Sequence, residues 1–224
     1  MSEIMKVDVW SDIACPWCYI GKRNLEQAIR AAGTDAGSPS VQVEFHSFQL
    51  SPDTPVDFDG SETDYLAQHK GISREQAAAM QERVTAIAAA AGLDYHFERV
   101  RHTNTVKAHQ LLHYARTRGL QSEMAERLMR GYFIEGRHLG RDEELVALAG
   151  EIGLDAEDVR RSLREEEFLA AVRQDEGLAA AYGVRGVPFF VIDRGYALQG
   201  AQPPEVFEEA LRMVANERAA PAAT

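Results

Sequence analysis

Strand-like alternation in this chain is confined to its two ends, and that restriction limits its fold more than any other feature. Residues 4–10 alternate and are rich in Val and Trp, and Ser11-Asp12-Ile13-Ala14-Cys15-Pro16 then reads as a loop turning into a helix N-terminus. Trp17, Ile20, Leu25, Ala28 and Ile29 keep helical spacing until Gly33, and Val41, Val43 and Phe45 mark a second strand closed by Ser51-Pro52 and Pro55. From 63 to 182 strand signal almost vanishes. Ser73-Arg-Glu-Gln76 has the form of a capping box ahead of a helix to Ala91, stopped by Gly92. Further helical runs are expected from Asn104/Thr105 to Gly119, Ser122 to Glu135, Asp142 to Ile152, and Asp155 into Tyr182, with Asn104 or Thr105 read as an N-cap. After Gly183, Pro188–Ile192, the turn Asp193-Arg-Gly195 and Tyr196–Gln199 read as a hairpin, and Pro203-Pro204-Glu205 opens a last helix through Phe207, Leu211 and Val214. The expected architecture is α/β: a βαβ…ββα sheet unit (1–62 and 183–218) with an all-helical domain (63–182) inserted, and a flexible tail at 219–224.

Charge narrows the function. Lys and Arg total 24 against 35 Asp and Glu, a formal net charge of −11, which disfavours a nucleic-acid surface. No apolar run approaches the roughly 18–20 residues that cross a bilayer, so no membrane partner is expected. The N-terminus enters a strand pattern containing Asp8 and lacks a signal-peptide core, so a cytoplasmic location is expected. The charge favours solubility and selects no dimer face.

The chain has 2 cysteines, Cys15 and Cys18, too close together to staple a fold of this size. In a reducing compartment such a pair more often does chemistry. At a helix N-terminus the first cysteine faces unpaired backbone N–H groups and the positive end of the macrodipole, which favour thiolate. Cys15 is therefore the expected nucleophile. Cys18, near the same helical face, can resolve a mixed disulfide. Two other readings compete: inert buried thiols, and half of a zinc site completed by His109 and His113, which lie far away in sequence. His46, His69, His96, His102 and His138 form no recognisable cluster.

Gly186-Val187-Pro188 heads the later strand. An X-Pro bond is where a cis peptide is cheap, and a proline beginning a strand leaves neighbouring backbone groups free to pair with an extended ligand. With the Cys15-Pro16-Trp17-Cys18 motif, this resembles the thioredoxin superfamily, and the helical insertion resembles its DsbA branch. Ser11 through Gly21, Asn104-Thr105 with Ala108-His109, Tyr132 through Gly136 and Gly200 through Pro203 resemble the FrnE-like cytosolic DsbA-family proteins.

The resemblance implies a disulfide oxidoreductase or isomerase acting on proteins or peptides with a separate redox partner. Cys15 is then nucleophile, Cys18 resolver, and Pro188 cis beside them, supported by Val187 and by Pro16 and Trp17. No cofactor is implied, with glutathione as a candidate co-substrate. Relatives of this architecture are glutathione-dependent isomerases and transferases of small molecules, typically with Ser for the nucleophile, so both retained cysteines favour redox work. A non-catalytic chaperone is the third reading. Oxidising DsbA proteins have His at the Trp17 position; indole offers one N–H and no cationic form, so a less oxidising pair is expected. Thioredoxins have a buried acid near the position of Asp8, so Asp8 is a candidate for a buried acid of raised pKa that takes the Cys18 proton, against the plainer reading as an acid at a strand edge in water. Arg185 is a candidate contact for a substrate carboxylate or glutathione, against the plainer reading as a solvated surface charge. Tyr132 and Phe133 are candidates for a groove facing the disulfide, against the plainer reading as core.

Overall fold

In the computed structural model, which describes residues 4–33 and 40–219, the sequence pattern becomes one four-stranded sheet with helices around it. The residues of the expected tail from 220 onward lie outside the described ones. β1 (Met5–Ser11) leads into α1 (Pro16–Ala32) and then β2 (Val41–Ser47), parallel to β1. β3 (Phe189–Ile192) and β4 (Tyr196–Gln199) form the hairpin, and α9 (Pro204–Ala219) follows it. The order is β2-β1-β3-β4, with β3 antiparallel to both of its neighbours. Between β2 and β3 lie α2 (Glu62–Lys70), α3 (Arg74–Ala90), α4 (Val106–Thr117), α5 (Gln121–Arg130), α6 (Asp142–Glu151), α7 (Ala156–Arg164) and α8 (Leu169–Ala181).

Local chemistry explains the boundaries. α2 and α3 both start with complete capping boxes, Ser61 with Asp64 and Ser73 with Gln76. The β3–β4 turn places Asp193 (φ 50°) and Arg194 (φ 61°) in the left-handed region, the backbone shape of a tight hairpin, and Arg218 binds the Asp193 carboxylate. At α4 the N-cap position is Thr105, whose side chain makes no cap bond; Asn104, one residue earlier, accepts from Val106 N through Oδ1 at 2.9 Å instead.

Two helical runs differ from the periodicity. The run from Asp155 breaks between α7 and α8, where Glu166 takes φ 52°. The run to Glu135 ends in a π-helical turn at Gly131–Glu135, which shifts the side-chain register.

In β1, Met5, Val7 and Val9 face the core, while Lys6 and Asp8 face the other side. One apolar cluster runs from Val7, Val9, Cys15, Cys18 and Leu25 into Leu111, Leu128, Tyr132 and Phe133, so the insert shares its core with the sheet unit. A smaller cluster packs Trp10 against Ala179 and Val184.

Candidate active site

β1 ends at Ser11, and the chain turns through Asp12–Ala14 so that Cys15 becomes the N-cap of α1. Its backbone is extended (φ −92°, ψ 114°), and Pro16 at the first helical positions removes one amide that would otherwise lack a partner. Cys18 N donates to Cys15 O at 3.0 Å, which closes the motif into a turn. Both thiols are free and buried, and Trp17 between them is 39% exposed.

The register pairing Trp10 with Phe189 sets Pro188 at the carboxyl end of β1, beside this turn. The Val187–Pro188 peptide is cis, and the Cys15 thiol donates to Val187 O at 3.6 Å. Pro188 O is engaged by Gly200 N at 2.8 Å. α1 reaches this segment at Gly21: a Cβ there would lie 3.0 Å from Pro188 Cγ and 3.1 Å from Phe190 Cζ.

Burial pushes the Cys18 thiol well above its ordinary range, and negative charge on Cys15 adds to the shift. The Ser11 hydroxyl and Asp12 amide act the other way. That hydroxyl is buried and makes no well-formed hydrogen bond, yet it lies close enough to Cys18 to favour a thiolate there. Cys18 is thus held towards its protonated form, and Cys15 faces the proline segment.

The acid beside the pair is Asp12, not Asp8. Asp12 is buried; its Oδ1 accepts from Ala14 N and from His109 Nε2, both at 3.3 Å, and its Oδ2 accepts from Leu50 N at 2.8 Å. Burial works to raise its pKa, but His109 and the two amides outweigh burial and hold it below the usual carboxylate range. An ionised carboxylate only accepts, so His109 presents Nε2–H. His109, distant in sequence, is thus brought to the cysteine loop by α4, while His113 goes to Ser47 and Asp175.

Asp8 departs from its expected role. Its carboxylate binds Lys6 Nζ at 3.0 Å and His46 Nε2 at 2.8 Å, and these bonds overcome partial burial to lower its pKa rather than raise it. Asp8, Glu44 and His46 come within metal-ligand reach of one another. Lys6 bridges both carboxylates and Arg116 binds Glu44, so cationic side chains already balance that charge.

Tyr132 and Phe133 are fully in the core rather than on a groove. Phe133 instead acts one layer down: it stacks on Tyr95 at 4.8 Å, and Tyr95 OH donates to Pro16 O at 2.8 Å. Arg185 is exposed in the loop before Val187 and has no ionic partner among the described residues. Tyr95, Asp12, Ser11 and Gly21 were not singled out by pattern. Gly21, one turn beyond Cys18, carries the only readable hint, since residues three apart share a helical face.

A dithiol at the first helix, facing an extended cis-proline segment across a β2-β1-β3-β4 sheet, defines a thioredoxin-fold protein, here with a helical insertion. The chain belongs to the DSBA-like thioredoxin domain family, which it matches over residues 6–212. A probable DsbA oxidoreductase from Streptomyces coelicolor is similar, at 42% identity and TM-score 0.88, covering 98% of this chain and 93% of its own. Cytosolic disulfide reductase DsbM from Pseudomonas aeruginosa shares the fold at 19% identity and TM-score 0.66, over 96% of this chain and all (100%) of its own. So does a 2-hydroxychromene-2-carboxylate isomerase, at 15% identity and TM-score 0.73, over 96% and 98%. No described helix is long and apolar enough to cross a membrane.

Proposed function

We propose that this protein is a thiol–disulfide oxidoreductase of protein or peptide substrates that uses Cys15 as nucleophile and Cys18 as resolver. The supporting observation is the Cys15 thiol 3.6 Å from Val187 O, at the head of a segment that can pair with an extended chain. The Cys15 thiolate attacks one sulfur of a substrate disulfide, and the other sulfur leaves as thiolate. Cys18 then loses its proton and attacks Cys15 Sγ, which releases the second substrate thiol and leaves a Cys15–Cys18 disulfide. Two electrons pass to the substrate, and a thiol reductant returns them.

Glutathione is a candidate for that reductant, since DsbM has been solved with it. DsbM's cytosolic location and the poverty of cysteine in this chain support a reducing compartment. The Ser11–Gly21 motif supports assignment to the FrnE-like branch. Sharing a fold with a small-molecule isomerase does not move this reading, because Cys18 stands in a resolving position that such chemistry leaves idle.

The test is a redox titration of the pair in glutathione buffers, with insulin reduction and scrambled-ribonuclease reactivation on the same preparation. A reversible two-electron couple with either activity supports the proposal. A pair inert toward protein disulfides rejects it.

A further inference from the structure

The loop from the carboxyl end of β2 to α2 encloses a cleft of about 450 Å3, within the range of small-ligand sites. Leu50, Pro52, Pro55, Phe58, Tyr65 and His69 supply most of its wall. The chain that leaves the carboxyl end of β2 forms its wall from Leu50 onward, and the cleft is tied to the cysteine loop through one carboxylate. Asp12 Oδ2 holds Leu50 N in the cleft wall at 2.8 Å, while Asp12 Oδ1 holds Ala14 N next to Cys15 at 3.3 Å.

The wall is already shaped. Asn104 Nδ2 donates to Pro52 O at 2.8 Å, Thr103 Oγ1 to Val56 O at 2.6 Å, and Thr54 Oγ1 pairs with His102 Nε2 at 3.3 Å. Tyr65 stacks on both His102 at 3.3 Å and His69 at 5.3 Å, and Phe58 stands edge-on to Tyr65 at 5.8 Å, so these rings hold one another in place. The apolar Leu50 is 44% exposed at this site. Among the described residues that line the cleft, Asp53 is acidic and none is Lys or Arg. A ring carrying a carboxylate or phosphate would meet Asp53 with no Lys or Arg to offset it, whereas a neutral or cationic ring meets the apolar surfaces of Leu50, Pro52, Pro55 and Phe58.

We propose that this cleft receives a neutral or cationic aromatic side chain of the peptide whose disulfide Cys15 attacks, so that the protein prefers disulfides flanked by such residues. The inference rests on the oxidoreductase reading above.

Two disulfide peptides, identical except for Phe or Ala beside one cysteine, give the test through their kcat/KM ratio. The wild-type ratio is expected to be about tenfold, the scale of partly burying one aromatic side chain. Gln68→Trp, at an exposed position of α2 on the cleft, fills the space and is expected to bring the ratio to about one; Gln68→Tyr is a second filling variant. Equal rates in wild type, or a ratio that survives filling, overturns the proposal.

Amide shifts with N-acetyl-phenylalanine amide supply an independent readout. Shifts at Thr54 and His69 are expected, and weaker ones with the free N-acetyl-phenylalanine carboxylate. Absence of shifts overturns the cleft as a ring site. If neither peptide is exchanged, the oxidoreductase reading fails; shifts in that case reassign the ring to a free small molecule and overturn the peptide assignment.

Discussion

Asp175→Asn tests the ionic joint between α8 and the sheet. Asp175 accepts from His46 Nδ1 at 2.9 Å, from Ser47 N at 2.8 Å and from His113 Nε2 at 3.1 Å. On its other side, His46 Nε2 meets Asp8 at 2.8 Å, with Glu44 further off at 4.0 Å and Lys6 and Arg116 on those carboxylates. Both ring nitrogens thus face acids, which suits an imidazolium. Burial acts against its charge, but Asp175 and Asp8 outweigh burial and raise His46 from 6.5 to about 9. At about 1.4 kcal/mol per unit that rise corresponds to about 3 kcal/mol. Because the folded pKa is raised, this stability is fully present below pH 6.5 and is lost as pH rises through about 9. Asp175 is depressed by the same contacts, so its contribution is present above the usual carboxylate range and lost as pH falls; it is one interaction seen from two sides. Losing the Asp175 share of the His46 charge and the charge-assisted bonds to Ser47 and His113 should cost about 3 kcal/mol at pH 7, or about 6–12 °C in Tm for a chain of this size. Urea unfolding at pH 6, 7.5 and 9.5, in a Cys15→Ser, Cys18→Ser background that removes thiol titration, measures both effects. Wild type should lose about 3 kcal/mol across that range from this joint, and Asp175→Asn about half as much. An equal slope in the two proteins would refute the reasoning.

Cys18→Ser should accumulate a mixed disulfide at Cys15 with protein substrates, seen by non-reducing electrophoresis, while Cys15→Ser forms none. Gly21→Ala forces a methyl against Pro188 Cγ and Phe190 Cζ and should cost about 1–3 kcal/mol, with slower exchange, measured by thermal unfolding and insulin reduction. Trp17→His replaces a single donor with a group able to carry charge beside the thiolate, so the pair should become more oxidising by tens of mV, about 30 mV for each tenfold preference, in a glutathione titration.

The strands, the insertion and the placing of the Cys15–Cys18 pair were legible because each rests on local pattern: alternation in β1, Ser and Asn caps, a Gly-closed hairpin, two cysteines at a strand-to-helix junction. What escaped depends on contacts between segments far apart in sequence. Asp8 invites a buried-acid reading from its position, but alternation places it on the face opposite Val7 and Val9, where Lys6 and His46 claim it. His109 looks remote because α4 begins some ninety residues after Cys15, and only packing of the insert brings it to Asp12. The break near Glu166 falls inside the charged run Arg164–Glu167, which contains no Gly or Pro to mark a helix stop.

The insert supplies much of what holds the dithiol in place. Tyr95, beyond α3, fixes the Pro16 carbonyl; His109, on α4, meets Asp12; Glu126, on α5, binds Tyr19 OH at 2.7 Å and the buried Lys22 at 2.8 Å on α1. Gln121 pairs with both the N–H and the carbonyl of Phe45 in β2, at 3.0 and 2.8 Å, and occupies backbone groups that an edge strand would leave open. Each of these contacts lands on α1, β2 or the loop that carries Cys15, and none reaches a sulfur. The common core accounts for this: the sheet unit provides the thiols and the proline segment, and helices of the insert hold the loop and the helix that carry the thiols. Trp17 and Arg185 stay exposed, outside all of these contacts.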